Sequence, residues 1–551
     1  MNALVSDAPR QREFTPWPEE LAARYRAEGL WSGISLGRML RDSAALHGAR
    51  TALVDGPDSW TYAELDTEAD RLAAGLYTEG VAAPGERVLV QLPNTAAFVL
   101  VCFALFRIGA VPVLAQPAHR EHEITQLCRQ SEAVAMVIAD QRSGFDYRVM
   151  AERVRAECPT LRTIVVDGDP GRHRALSGLF ADPVPLPEPD PGSPAVLQLS
   201  GGTTAVPKLI PRTHDDYLYN ARASVMACPL DETDVYLCAL PAAHNFPLCA
   251  PGVLGALDSG ATVVLAPGPS DGDVFPLIER YGVTVTAVVP PIALLWLDAA
   301  KDTRYDLSSL RVLQVGGARL GPSGAARVRP VLGCGLQQVF GMAEGLICYT
   351  RLDDPDELVE TTQGVPMSAA DEIAVVDDED RPVPDGEPGH LLTRGPYTIR
   401  GYFRADEHNA RAFTAEGFYR TGDIVRRLPS GHLVVVDRAK DLVNRGGDKV
   451  AADEIEELLA THPGVHDVAV VAEPDDGLGE RICAFVVAYE DGLKGRVFKR
   501  HLRDRGLAAY KIPDRFAFID AMPLTSVGKI DKKELRKRAA ELAAKEGRTS
   551  S

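Results

Sequence analysis

Ala195-Val-Leu-Gln-Leu199 runs directly into Ser200-Gly-Gly-Thr-Thr-Ala-Val-Pro-Lys208. The first stretch is short and apolar and reads as a strand. The second is a loop of glycines and hydroxyls with one lysine, in which backbone N–H groups can approach phosphate oxygens closely while the lysine supplies positive charge. It is not a Walker A loop, because Pro207 stands where that pattern demands glycine.

Outward from this loop, apolar β-branched runs alternate with helical patterns. Arg87–Leu92, Ala135–Ile138, Thr163–Val166, Ala261–Leu265, Val283–Val289 and Arg311–Val315 are short and bounded by turn residues. Such runs predict parallel strands buried on both faces, and hence an α/β architecture. Ala96 to Leu114 is the most apolar stretch, but Arg107, Gly109 and Pro112 interrupt it. It reads as a buried helix followed by a strand, not a bilayer span.

From about Gly364 to Asp437 the chain turns to short strands with Pro-Asp-Gly and Gly-rich turns, which predicts a smaller β subdomain. Beyond Lys440 the pattern changes again. Asp453-Glu-Ile-Glu456 has the form of a capping box, Ile455, Leu458 and Leu459 make one apolar helical face, and the strand-like Val465–Val471 follows. A Lys- and Arg-rich helix closes the chain. The predicted organisation is a large α/β core over 1–439, including the β subdomain, and a small α+β domain over 440–551.

At 551 residues the chain exceeds what one hydrophobic core usually supports. Its 59 basic and 77 acidic side chains give a formal net charge of −18, which argues against a broad nucleic-acid or acidic-membrane footprint. The nine cysteines are scattered without a CxxC pair, and the Met1 end does not read as a signal peptide. A cytoplasmic protein is expected.

Several short motifs stand in order along this frame: Trp60–Leu65, Ser200–Lys208, Gly316–Ala318, Phe340-Gly-Met-Ala-Glu344, Tyr419-Arg-Thr-Gly-Asp423, Asp437-Arg-Ala-Lys-Asp441 and Pro523-Leu-Thr-Ser-Val-Gly-Lys529. The set resembles the adenylate-forming superfamily of acyl-CoA synthetases, nonribosomal-peptide adenylation domains and luciferases, from about Trp60 to Lys533. One departure is Ala205, where the family usually has glycine.

The resemblance implies ATP and Mg²⁺ as cofactors and a C-terminal domain that rotates between two half-reactions. It places Ser200, Gly201, Gly202, Thr203, Thr204 and Lys208 at the phosphates. Gly317, Ala318, Val339, Phe340, Gly341, Met342 and Ala343 would surround adenine, with Asp423 at the ribose hydroxyls and Arg438 at ribose or phosphate. Glu344 would hold Mg²⁺ through oxygen ligation. Lys529 would be the catalytic lysine, a cation between the two anions that meet when a carboxylate attacks the α-phosphorus. Lys440 matches the hinge. Gly446 and Gly447 would form the face that admits a phosphopantetheine arm.

A narrower resemblance is carried by Phe14–Trp31, Lys208–His214 and Pro241-Ala-Ala-His-Asn-Phe-Pro247, which look like stand-alone aryl-acid ligases. It adds His244 to both the catalytic and the substrate-binding residues. The pocket positions implied are Asn245, Phe246, Cys249, Gln314, Gly316, Val339, Ile347, Cys348 and Lys529. A neutral Asn245 cannot pair with an α-ammonium, but it can hydrogen-bond a hydroxyl ortho to a carboxylate. Asn-Phe-Cys resembles salicylate enzymes, whereas 2,3-dihydroxybenzoate enzymes tend to show Asn-Tyr-Ser; Ile347 and Cys348 depart from both.

Three outcomes stay open on sequence: an aryl-acid ligase feeding a carrier protein, an aryl-CoA ligase using free coenzyme A, and a catalytically silent homologue. No Gly-Gly-x-Ser motif follows Lys529, which predicts that any carrier is a separate protein.

Overall fold

A computed structural model describes residues 13–200, 207–438, 442–490, 492–523, 530 and 532–549. Two large sheets form the N-terminal part. The seven-stranded sheet runs in the order Leu209–Thr213, Pro194–Leu199, Val111–Leu114, Arg87–Gln91, Ala135–Ala139, Thr163–Asp167, Arg174–Ala175. In the nine-stranded sheet, Val312–Gly316, Val285–Val288, Val235–Cys238, Thr262–Leu265 and Thr51–Asp55 are consecutive parallel neighbours. All six predicted runs are strands in parallel pairs, and most of their side chains are buried on both faces. The α/β expectation holds.

Ala96–Ile108 is a helix buried nearly all round, and it stops at Gly109, whose φ of +75° suits glycine. The strand Val111–Leu114 follows. Thr61 and Glu64 form a capping box at the start of helix Tyr62–Thr78, an arrangement worth about 1 kcal/mol.

Four antiparallel strands, Glu372–Val376, Pro388–Arg394, Tyr419–Arg427 and Leu433–Arg438, make a separate β layer. Its sheet begins later than the composition suggests: Val365–Pro366 still pairs with Gly345–Tyr349 in the nine-stranded sheet.

Beyond Leu442 lies a five-stranded sheet of Asp448–Ala451, Leu442–Arg445, Gly479–Ala488, Val465–Asp475 and Arg515–Phe518. Helices Ala452–Ala460 and Gly495–Asp504 cover one face, where Ile455, Leu459, Phe498 and Leu502 are buried. Helix Lys532–Thr549 covers the other with Leu535 and Ala539. The helix begins at Ala452, directly after strand Asp448–Ala451 and one residue before the Asp453 at which its capping box was expected. Glu456 accepts the Val470 N–H at 2.6 Å and pairs with Lys532 at 2.8 Å.

All nine cysteines are buried and unpaired. Among the described residues no helix is long and apolar enough to cross a membrane.

Candidate active site

A cavity of about 430 Å³ opens where the two large sheets and the C-terminal part meet. That volume suits a small organic ligand. Its floor is the segment Pro241–Pro247. Asn94 ties this segment down: its amide donates to the carbonyls of Cys238, Leu240 and Ala266 at 3.1, 2.9 and 3.3 Å, and its oxygen accepts the Ala242 N–H at 2.8 Å. The short helix Asn245–Cys249 then sets Asn245 and Phe246 at the wall.

Two glycines make room for the packing here. A Cβ at Gly316 would lie 2.9 Å from the Phe246 ring, and one at Gly341 would lie 3.0 Å from Ile347 Cγ1. His244, Asn245, Phe246, Val339 and Ile347 line the cavity, as do Gly317, Gly341, Met342, Ala343 and Glu344. Cys249, Gln314, Gly316 and Cys348 do not line it. Cys249 is fully buried and donates its thiol to the Tyr217 carbonyl at 3.3 Å, and Gln314 Nε2 donates to Gln337 Oε1 at 3.2 Å.

Ser200 and Lys208 close the base of the glycine-rich loop. The Ser200 N–H donates to the Lys208 carbonyl at 3.0 Å, and the Lys208 N–H donates to Ser200 Oγ at 3.2 Å. The flanking strands Pro194–Leu199 and Leu209–Thr213 pair antiparallel. Gly201, Gly202, Thr203, Thr204, Lys440 and Lys529 lie outside the described residues.

Glu344 is buried in the wall, and Tyr402 holds it by donating to Oε1 at 2.8 Å. The Tyr402 and Tyr419 hydroxyls are 2.8 Å apart, and the Lys208 ammonium lies 5.6 Å from the centre of the Tyr402 ring. Lys208, Phe340, Ala318 and Asp423 are not among the lining residues. Asp423 is buried in strand Tyr419–Arg427, opposite Arg438 in register, after a Gly422 with φ of +76°.

Behind the wall, Arg212 is fully buried and pairs with Asp216 at 2.7 Å. It also donates to the Ala343 carbonyl at 2.8 Å, so one buried cation braces the residue before Glu344. An unpaired charge at such a site would be strongly destabilising.

The C-terminal part supplies the remaining wall through Gly446, Gly447, Asp448, Lys449, Glu454, Tyr510 and Lys511. Gly446 and Gly447 form the turn between strands Leu442–Arg445 and Asp448–Ala451, with φ of +62° and +97°. A Cβ at Gly447 would fall 2.5 Å from Val289 Cγ1, and one at Gly317 would fall 3.5 Å from Gly447 Cα. The turn is thus inserted against the N-terminal core.

A buried cluster fastens it there. The Lys511 ammonium meets Glu454 at 2.9 Å and Glu123 at 3.3 Å, and Glu123 also accepts the Ala508 N–H at 3.2 Å. Burial opposes the Lys511 charge, but Tyr510, Glu454 and Glu123 outweigh it and raise its pKa above the ordinary lysine value. On the opposite side, His244 Nε2 stands 3.8 Å from Asp448 Oδ1. Partial desolvation at the cavity wall pushes His244 down and Asp448 up.

Sequence reasoning did not single out Asn94, Tyr217, Tyr402, Arg212 or Lys511. The partners of each come from elsewhere in the chain.

The large two-sheet α/β part, the small C-terminal part and a buried glutamate on a ligand-sized cavity between them are those of an adenylate-forming enzyme. The chain belongs to the AMP-binding enzyme family: the family model for the AMP-binding enzyme matches residues 40–403, and that for the AMP-binding enzyme C-terminal domain matches 454–529. Its similar relatives include the 2,3-dihydroxybenzoate-AMP ligase of Bacillus subtilis, 57% identical over 96% of this chain and 98% of the relative. The salicyl-AMP ligase / salicyl-S-ArCP synthetase of Mycobacterium tuberculosis is 50% identical over 95% and 94%. Among solved structures, apo MbtA of Mycobacterium smegmatis has a TM-score of 0.75 at 49% identity, covering 95% of this chain and 98% of its own.

Proposed function

We propose that this enzyme activates a 2-hydroxylated aromatic acid as its aryl-AMP and passes the aryl group to the phosphopantetheine thiol of a separate carrier protein. The carrying observation is a neutral amide, Asn245, beside the Phe246 ring on a cavity whose wall includes Glu344. With the neutral Asn245, and not a carboxylate, beside the Phe246 ring, this part of the wall suits an aromatic acid and offers no anion to an α-ammonium. The kinship with 2,3-dihydroxybenzoate- and salicyl-AMP ligases supports the same class.

In the first half-reaction the aryl carboxylate attacks the α-phosphorus of ATP and pyrophosphate leaves. Lys529 stabilises the charge where the two anions meet, and Lys208 and Ser200 sit at the loop that would hold the phosphates. Mg²⁺ fits this site: Glu344 is a buried carboxylate held by one tyrosine, and Mg²⁺ is ordinarily bound by one or two carboxylates plus substrate phosphates. When bound, it would neutralise phosphate charge. In the second half-reaction the thiol attacks the aryl carbonyl and AMP leaves. Rotation about Lys440 would exchange the Lys529 face for the Gly446–Gly447 face, and the Lys511 cluster would lock the latter in place. Action in the cytoplasm, where free thiols persist, accords with nine unpaired cysteines.

ATP–pyrophosphate exchange across salicylate, methylsalicylates, 2,3-dihydroxybenzoate, benzoate and 3-hydroxypicolinate tests the reading. Exchange fastest with acids that carry an ortho oxygen is expected, and equal rates with benzoate would refute it. Coupling the same acids to carrier protein or free coenzyme A then identifies the acceptor.

Cys249 bears on the choice between one hydroxyl and two. It lies behind the cavity wall with its thiol given to the Tyr217 carbonyl, so on that side a 3-hydroxyl would find no hydrogen-bonding partner from Cys249. That mismatch costs about 1–3 kcal/mol, roughly 5- to 150-fold in specificity. Cys249→Ser is expected to shift relative kcat/KM from salicylate towards 2,3-dihydroxybenzoate; an unchanged ratio would show that Cys249 only fills the core.

A further inference from the structure

Tyr217 lies behind the cavity wall on helix His214–Ala227, with no exposed surface. Its hydroxyl stands between two amides that do line the cavity, Gln198 and Asn245. Gln198 Nε2 donates to the phenol oxygen at 2.9 Å, and the phenol donates to Asn245 Oδ1 at 2.9 Å. A phenol has one hydrogen to give. With Gln198 donating in, that hydrogen goes to Asn245, and the amide oxygen of Asn245 is occupied from behind. The polar edge that Asn245 then turns to the cavity is its amino group, a donor.

The phenol is held rigidly enough to impose this direction. The Arg212 guanidinium lies 4.8 Å from its ring centre, and Arg212 is itself fixed by Asp216. Turning the Asn245 amide over would set its amino group against a phenol oxygen that already accepts from Gln198. It would also leave the phenol hydrogen without an acceptor in a buried site, an arrangement that folded proteins avoid.

We propose that Tyr217 is a positioning residue that fixes Asn245 with its amino group towards the substrate, so that the site selects acids carrying a hydrogen-bond acceptor ortho to the carboxylate. This rests on the aryl-acid reading above and adds the polarity of the contact. In salicylate the 2-hydroxyl gives its hydrogen to its own carboxylate and turns a lone pair outward, which matches a donor. In anthranilate the 2-amino group gives one hydrogen to the carboxylate and turns the other outward, so donor meets donor.

The test is pyrophosphate exchange with salicylate, anthranilate and benzoate, using the full-length enzyme and its Tyr217→Phe variant. In the variant Asn245 loses the donor that holds its oxygen and can present that oxygen to the cavity. Salicylate kcat/KM should fall, anthranilate kcat/KM should rise, and their ratio should drop by roughly tenfold or more, a shift within the range that one mismatched polar contact produces. Benzoate, without an ortho group, should stay near wild type. Gln198→Leu, which removes the donor that orients the phenol, should move the ratio in the same direction and guards against misfolding of the first variant. An unchanged ratio, or an equal fall with all three acids, would overturn the role of Tyr217 while leaving the aryl-acid reading intact. Absence of exchange with every aryl acid in wild type would instead overturn that reading, and this inference with it.

Discussion

Gly447→Val is expected to leave ATP–pyrophosphate exchange within about twofold of wild type and to cut aryl transfer to a thiol by about a hundredfold or more, the scale that misplacement by about 1 Å produces. The turn at Gly447 is pressed against the N-terminal core, where any Cβ would come within 2.5 Å of Val289 Cγ1. Its φ of +97° is a conformation that a β-branched residue resists. Both effects oppose the orientation in which Gly446, Gly447, Asp448 and Lys449 line the cavity. They do not oppose an orientation that brings Lys529 to the site, so the first half-reaction should survive. Separate assays of exchange and of thioester formation from preformed aryl-AMP would check this. Equal losses in both would mean that the turn serves the fold and not the second half-reaction.

Lys529→Ala should do the reverse and abolish the first half-reaction. Exchange is expected to fall by about a thousandfold, a loss typical of removing a group that stabilises transition-state charge. Binding of ATP and aryl acid should persist, because the two anions crowd each other mainly as the carboxylate reaches the α-phosphorus. Thioester formation from preformed aryl-AMP should also persist. Calorimetric binding, exchange and single-turnover transfer separate the three quantities. Near wild-type exchange in the variant would remove Lys529 from the catalytic role. Together the two variants would divide the reaction between two faces of the C-terminal part, the Gly446–Gly447 turn and the segment between Met522 and Ile530. Those last two residues pack on the sheet face covered by helix Lys532–Thr549.

The strands were the most legible part of the chain. Ala135–Ala139 and Val312–Gly316 are buried on both sides, so nearly every residue must be apolar or small, and the run stands out. The ends of elements were harder to read. Asp453-x-x-Glu456 has the letters of a capping box, yet the preceding strand feeds the helix without a break and Glu456 is drawn to Val470 and Lys532. The proposed motif residues stand out in the chain because each is a local pattern: glycines in a loop, a glutamate after Phe340-Gly-Met-Ala, a lysine after glycine. The residues that support them do not. Tyr217 is 28 residues from Asn245, and Tyr402 is 58 residues from Glu344. Nothing near either tyrosine marks it as more than core.

By itself the sequence determined the α/β layers and the family, because burial periodicity and short ordered motifs are properties of neighbouring residues. Only the tertiary structure decided which way Asn245 turns, that Cys249 spends its thiol on the Tyr217 carbonyl, and that Lys511 with Glu123 and Glu454 holds the Gly447 turn against Val289. The direction of a hydrogen bond and the pairing of a buried charge depend on which distant groups packing brings within about 3 Å, and no local pattern encodes that.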